Sequence, residues 1–161
     1  MDAIELLKMQ HRETEKMFAM AKAATGATRR KLLLELADAL TVHATIEERH
    51  FYPAVRERAT EELLEDAFTE HLTMKSLLSG LVEGTVRMAD FDAQLAALEG
   101  EVLHHVQDEE RKLFPKVQQL LPAGRLQEIG DQMETTAAEL ENAGDPHVNM
   151  SVEIEPPQTG V

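Results

Sequence analysis

Apolar residues recur along this chain at every third or fourth position, and nowhere do they alternate with period two. That spacing places them on one face of a helix rather than on one face of a strand. In the first stretch, roughly residues 2–24, the stripe is Ile4, Leu7, His11 and Phe18, and Thr25-Gly26 closes it. A second stretch, from about Thr28 to Arg58, gives Leu36, Leu40, His43, Glu47, His50 and Ala54, with Pro53 inside it. Thr60 followed by Glu61-Glu62 reads as an N-cap with acidic residues in the first turn, opening a helix to about Glu83. Its stripe is Leu64, Phe68, His71 and Leu78. Asp90 is placed to cap a fourth helix reaching about Leu121 with Pro115 in it, whose stripe is Leu98, Val102, His105 and Glu109. Pro122 then starts a last amphipathic helix that ends near Asn142-Ala143-Gly144. The pattern predicts an all-α fold: an up-down four-helix bundle over 1–122, an additional C-terminal helix over 123–143, and a disordered tail over 144–161.

Each of the four core-facing stripes carries a histidine in mid-helix, and the chain repeats the arrangement. His43-Ala-Thr-Ile-Glu47-Glu48-Arg-His-Phe-Tyr-Pro53 returns 62 residues later as His105-Val-Gln-Asp-Glu109-Glu110-Arg-Lys-Leu-Phe-Pro115. His11 and His71 lie 60 residues apart, nearly the same offset. Two helical hairpins of one pattern pack with approximate two-fold symmetry and supply two similar half-sites.

Composition narrows the chemistry. The chain has no cysteine, which removes disulfides, thiolate catalysis and sulfur-ligated metals. A formal charge of −14 argues against nucleic acid or an anionic membrane as partner. No apolar run approaches the ~20 residues of a membrane span, and no basic segment precedes an apolar one at the N-terminus, so a cytoplasmic protein is expected. Seven histidines stand against one tyrosine and no tryptophan.

Residues four apart on a helix have Cβ atoms about 5–6 Å from one another. His43 with Glu47, and His105 with Glu109, can therefore address one point at the bundle centre, and His11 and His71 add an imidazole from each remaining helix. A buried, charged Glu is costly unless it is paired or bound to a metal. A lone mid-helix histidine is usually a core residue, and one HxxxE spacing arises easily by chance; two copies at matched offsets on apolar seams reverse that reading. Six nitrogen and oxygen ligands exceed one tetrahedral zinc and suit two bridged metals, with iron, manganese and zinc all compatible.

These residues also carry a resemblance. Leu6-Leu7-Lys8-Met9-Gln10-His11, the two HxxxEE motifs closed by Tyr-Pro and Phe-Pro, and Glu70-His71 follow the pattern of the hemerythrin HHE cation-binding family in order and spacing over residues 1 to about 120. The resemblance implies a non-heme di-iron centre, two iron ions bridged by the carboxylates and by an oxo or hydroxo group, and chemistry with oxygen, hydrogen peroxide or nitric oxide. Ferritin-like bundles use Glu-x-x-His instead, which is missing here on facing helices.

One position departs from the family. Oxygen-carrying hemerythrins have a second histidine one turn after the third-helix histidine, and here that residue is Lys75. Either that position is open or another residue fills it. Tyr52 is the first candidate, both as a metal ligand and as a catalytic residue. It lies five residues after Glu47, about 140° away on a regular helix. Pro53 disturbs the helix, and a one-residue π-bulge there would swing Tyr52 back towards Glu47. The alternative is that Tyr52 packs in the core like Phe114, its counterpart in the repeat. His50 and Glu15, each one turn beyond a ligand, are expected as outer partners or further ligands. Lys75 and Lys112 either line a channel or extend outward. Glu48, Glu110 and His104 are expected at the surface, turned about 100° from the ligands before them. His147 falls in the tail and is given no role.

The expected function is therefore that of an oxidoreductase acting on peroxide or nitric oxide, catalase- or peroxidase-like, with small molecules as its partners in a monomer or weak homodimer. A carrier or sensor of oxygen, nitric oxide or iron is the alternative.

Overall fold

The computed structural model describes residues 1–149. Helix α1 spans Ala3–Ala23 and opens on a reciprocal cap: the Glu5 backbone N–H donates to Asp2 Oδ1 at 2.9 Å and the Asp2 N–H to Glu5 Oε2 at 3.1 Å. Helix α2 starts as Gly26–Ile46, passes through a π-helical turn at Glu47–Phe51 and closes with Tyr52–Ala54. The reversal between α1 and α2 is so short that Gly26 adopts φ +58°, a conformation that strains residues with a side chain. Helix α3 is Glu61–Val82. After a 3-10 turn at Met88–Asp90, α4 runs as Phe91–Asp108, a second π-helical turn at Glu109–Leu113, and Phe114–Leu120. Helix α5 is Ala123–Asn142.

The first four helices form a ring of neighbours, α1 on α2, α2 on α3, α3 on α4 and α4 on α1, while α5 lies across α1 and α2. No strand occurs among the described residues, and none of their helices is long and apolar enough to cross a membrane.

Four features differ from expectation. The second stretch leaves the helix at Val55 rather than near 58. Thr60 holds the N-cap position of α3, but its hydroxyl does not cap; it is fully buried, donating to the Val55 carbonyl at 2.8 Å and accepting from the Glu57 N–H at 2.9 Å. Asp90 likewise spends its carboxylate on Arg87 Nε at 2.9 Å. At the C-terminus, where disorder was expected from 144, Pro146–Asn149 form a 3-10 turn on α2. The His147 backbone N–H and Nδ1 both meet Asp38 Oδ1, at 2.9 and 2.6 Å, which gives the turn an anchor. The rest of that predicted tail lies outside the described residues.

The interior has two apolar clusters. One gathers Leu7, Phe51, Phe114, Ile129 and Met133 at the end where α5 packs. The other gathers Phe18, Leu36, Leu81 and Leu98 at the far end. Along α1 the chain passes from Leu7 through His11 and Thr14 to Phe18, all buried, so a polar belt divides the core.

Candidate metal centre

That belt holds all six residues whose spacing pointed inward. His11 comes from α1, His43 and Glu47 from α2, His71 from α3, and His105 and Glu109 from α4; each is at most 8% exposed. Their inner atoms converge. His43 Nε2 lies 3.0 Å from Glu47 Oε1, His71 Nε2 2.9 Å from Glu47 Oε2, His105 Nε2 3.1 Å from Glu109 Oε1, and His11 Nε2 3.4 Å from Glu109 Oε1.

Tyr52 joins them because of the π turn. Pro53 has no N–H to give to a carbonyl four residues back, and the Tyr52 N–H bonds instead to the carbonyl of Glu47, five residues back. The extra residue in the turn brings the phenol onto the Glu47 face. Its hydroxyl sits 3.0 Å from Glu47 Oε2, 3.1 Å from Glu109 Oε2, 3.2 Å from His71 Nε2 and 3.3 Å from His105 Nε2. The same physics operates before Pro115, where the Phe114 N–H reaches the Glu109 carbonyl. Phe114 thereby stacks on the His11 ring, centroids 6.0 Å apart and planes 3° apart. The two half-sites thus differ by one hydroxyl.

The donors fit metal ions. His11, His43, Glu47 and Glu109 each offer a ligand atom within 4.8 Å of the others, and so do Glu47, His71 and His105. In the first group His11 Nε2, His43 Nε2, Glu47 Oε1 and Glu109 Oε1 are all buried without an aligned hydrogen-bond partner. Although His43 Nε2 and Glu47 Oε1 are only 3.0 Å apart, the atoms do not point at each other as donor and acceptor do. Four orphaned polar atoms in one place are expensive unless a cation satisfies them. In the second group, the spacings of 3.0 to 3.3 Å around the Tyr52 oxygen match adjacent ligands in one sphere, since bonds of about 2.0–2.2 Å at right angles put donor atoms about 3 Å apart.

The Hemerythrin HHE cation binding domain matches residues 2–117. The chain belongs to the hemerythrin HHE cation-binding family. Its fold is shared with a solved structure of a Hemerythrin HHE cation binding domain-containing protein, the Rv2633c homolog from Mycobacterium kansasii, at a TM-score of 0.77 and 23% identity over 89% of each chain. No functionally curated protein matches.

Around the HHE residues lies a second layer that the sequence pattern missed. Glu48 and Glu110, expected at the surface, turn instead towards the neighbouring helix. His71 Nδ1 is 2.7 Å from Glu48 Oε1, and His11 Nδ1 is 2.8 Å from Glu110 Oε1. His43 Nδ1 meets Gln10 Oε1 at 2.6 Å, whereas His105 Nδ1 stands 3.7 Å from Glu70 Oε2, too far for a hydrogen bond. Gln10 and Glu70 each immediately precede a site histidine, so this layer repeats as the inner one does. An acceptor at Nδ1 fixes the imidazole tautomer that leaves Nε2 for a metal. The doubled acid of HxxxEE at both offsets was the signal: the second Glu serves the opposite histidine.

The remaining predicted positions sort cleanly. His50 does not reach the centre; its Nε2 bonds Thr136 Oγ1 of α5 at 2.7 Å. Glu15 is exposed beside Arg12, Lys112 pairs with Asp108 in solvent, and His104 is exposed. Lys75 turns inward, its Nζ 3.1 Å from Glu48 Oε1, whereas Arg12 pairs with Glu110 from the exposed side. A cavity of about 40 Å³ borders the centre, lined by His11, His43, His71, His105 and Lys75 among apolar walls that include Met74, Leu78 and Val102; Tyr52 does not line it.

Charge in the belt is tightly compensated. Burial pushes Glu47 up, but His43, His105 and His71 hold it well below the usual carboxylate range. Burial and Glu47 push Glu109 up, and His105 and His11 bring it down. Burial pushes His105, His11 and His71 down, yet the facing carboxylates raise all three, His105 most strongly. Burial and the charges of Glu109 and Glu47 lift the Tyr52 phenol well above its usual range. Without a metal, protons hold this constellation together.

Proposed function

We propose that the centre binds two irons and that the protein acts on hydrogen peroxide or nitric oxide. His11 and His43 would hold one iron, and His71, His105 and Tyr52 the other, with Glu47 and Glu109 shared between them. Bound iron supplies one-electron redox chemistry and a coordination position open to a small ligand. The chain supplies the rest. The two inner carboxylates face both halves, Glu48 and Glu110 orient the imidazoles of the opposite hairpin, and the apolar cavity walls keep bulk water away.

The observation that carries this reading is the Tyr52 hydroxyl, 3.0 to 3.3 Å from four donor atoms. A hard phenolate oxygen in place of an imidazole favours ferric iron, which moves the site away from reversible oxygen carriage and towards turnover. The test is to load the protein with iron, measure metal content and the optical spectrum, and follow oxygen release after adding peroxide. Two irons per chain, a tyrosinate charge-transfer band lost in Tyr52→Phe, and sustained oxygen release are expected. A reversible, oxygen-dependent spectrum without turnover would instead support a carrier or sensor.

A further inference from the structure

Lys75 stands where the resemblance led us to expect a histidine, and what it does there depends on the direction in which its ion pair faces. Its Nζ lies 3.1 and 3.3 Å from the two Glu48 oxygens, and Glu48 in turn takes His71 Nδ1 at 2.7 Å. Glu48 is almost wholly buried, 6% exposed at the side chain, and does not line the cavity beside the centre; Lys75 does. The pair therefore sets its anionic partner against His71 and its cationic residue in the cavity wall. Two of the three ammonium donors are spent on Glu48, and the third has no acceptor among the described residues. Thr41, another polar residue of the wall, already gives its hydroxyl to the Ala37 carbonyl at 2.7 Å. Arg12, the corresponding cation on Glu110, is half exposed and takes no part in the lining. Lys75 is thus the one formally charged side chain of the wall apart from the imidazoles; the rest of the wall is Thr14, Thr41 and apolar residues.

We propose that Lys75 makes the cavity selective for small anions over neutral diatomics. This inference rests on the di-iron reading above. The cavity, about 40 Å³, suits a species of two or three heavy atoms. A charge-assisted hydrogen bond from the free ammonium donor is strengthened by the low-dielectric walls around it.

The test uses iron-loaded full-length protein of measured metal content, the oxidised form titrated by absorbance with azide and the reduced form with nitric oxide. Lys75→Met should weaken azide at least about 10-fold and change nitric oxide little, while Lys75→Arg keeps azide near wild type. Because Lys75→Met strands the buried Glu48 charge, the Glu48→Gln/Lys75→Met double variant carries the same expectation with no charge left unpaired. Equal weakening of both ligands, or a loss of azide in Glu48→Gln alone as large as in Lys75→Met, would mean that the lysine only holds His71, and would overturn the proposal. Two irons with azide affinity unmoved in both Lys75→Met variants would sink anion selectivity and leave the di-iron reading standing. A wild type that binds fewer than two irons would overturn both.

Discussion

At the scale of single residues, the centre depends on which nitrogen of each imidazole is free. Glu48 and Glu110 hold Nδ1 of His71 and His11 at 2.7 and 2.8 Å, and each comes from the hairpin opposite its histidine. Glu48→Gln and Glu110→Gln keep the shape but lose the charged acceptor. Each should lower metal affinity by about 10–100-fold while leaving the helical content unchanged, as read by competition against a chelator and by circular dichroism. Glu110 is the more exposed of the two and is also shared with Arg12, so its effect should be the smaller. Equal and negligible losses would show that the second layer does not orient the site. Tyr52→Phe belongs to the same scale: the variant removes one buried hydroxyl among two carboxylates, and without metal it should cost about 1–3 kcal/mol in denaturant unfolding.

At the scale of elements, the π turns and α5 work together. The turn at Glu47–Phe51 sets the Tyr52 phenol into the belt, and α5 packs against that turn, with His50 bonded to Thr136 and Phe51 in the same cluster as Ile129 and Met133. Helix α5 crosses the N-terminus tightly at Gly130, where a Cβ would fall 2.9 Å from the Ala3 backbone nitrogen and closer still to the Met1 carbonyl. Backbone cannot step aside as a side chain tip can. Gly130→Ala should therefore lift α5, cost about 1–3 kcal/mol in thermal or denaturant unfolding, and perturb the tyrosinate band proposed above more than it perturbs metal content. A variant as stable as wild type would show that α5 does not lock onto the N-terminus at this crossing.

At the scale of the whole molecule, a belt of ionisable groups between two apolar clusters makes stability depend on pH and on metal. The raised values of His11, His71 and His105 stabilise the metal-free protein fully below their ordinary value of 6.5, and that stabilisation is lost as pH rises through the raised folded values. The depressed values of Glu47 and Glu109 contribute above their ordinary 4.5 and are lost as pH falls through the folded values. Metal-free protein should thus be most stable between those two ordinary values, with Tm falling as the solution is made alkaline. Metal binding takes neutral imidazole and displaces protons, so the gain in Tm on loading should grow as pH rises from about 5 to about 8. A metal-dependent gain that is flat across this range would argue that the imidazoles are not the ligands.

Much of this molecule follows from local rules that a sequence displays directly. Helical periodicity gave the five helices, and spacing by four placed His43 with Glu47 and His105 with Glu109 on inward faces, because a side chain's direction on a helix depends on its own element. The disturbance at Pro53 was legible for the same reason, since a missing N–H acts within one turn. Other features were decided only by packing. Whether Glu48 meets solvent or His71, whether Lys75 points out or into a cavity, and whether His50 serves the centre or α5 all depend on which helix lies alongside. The same holds for the Thr60 hydroxyl, drawn into its loop instead of capping α3, and for the turn at Pro146–Asn149, given its place by Asp38 more than a hundred residues earlier. Periodicity says which way a residue faces; the neighbour it meets there is a property of the assembled bundle.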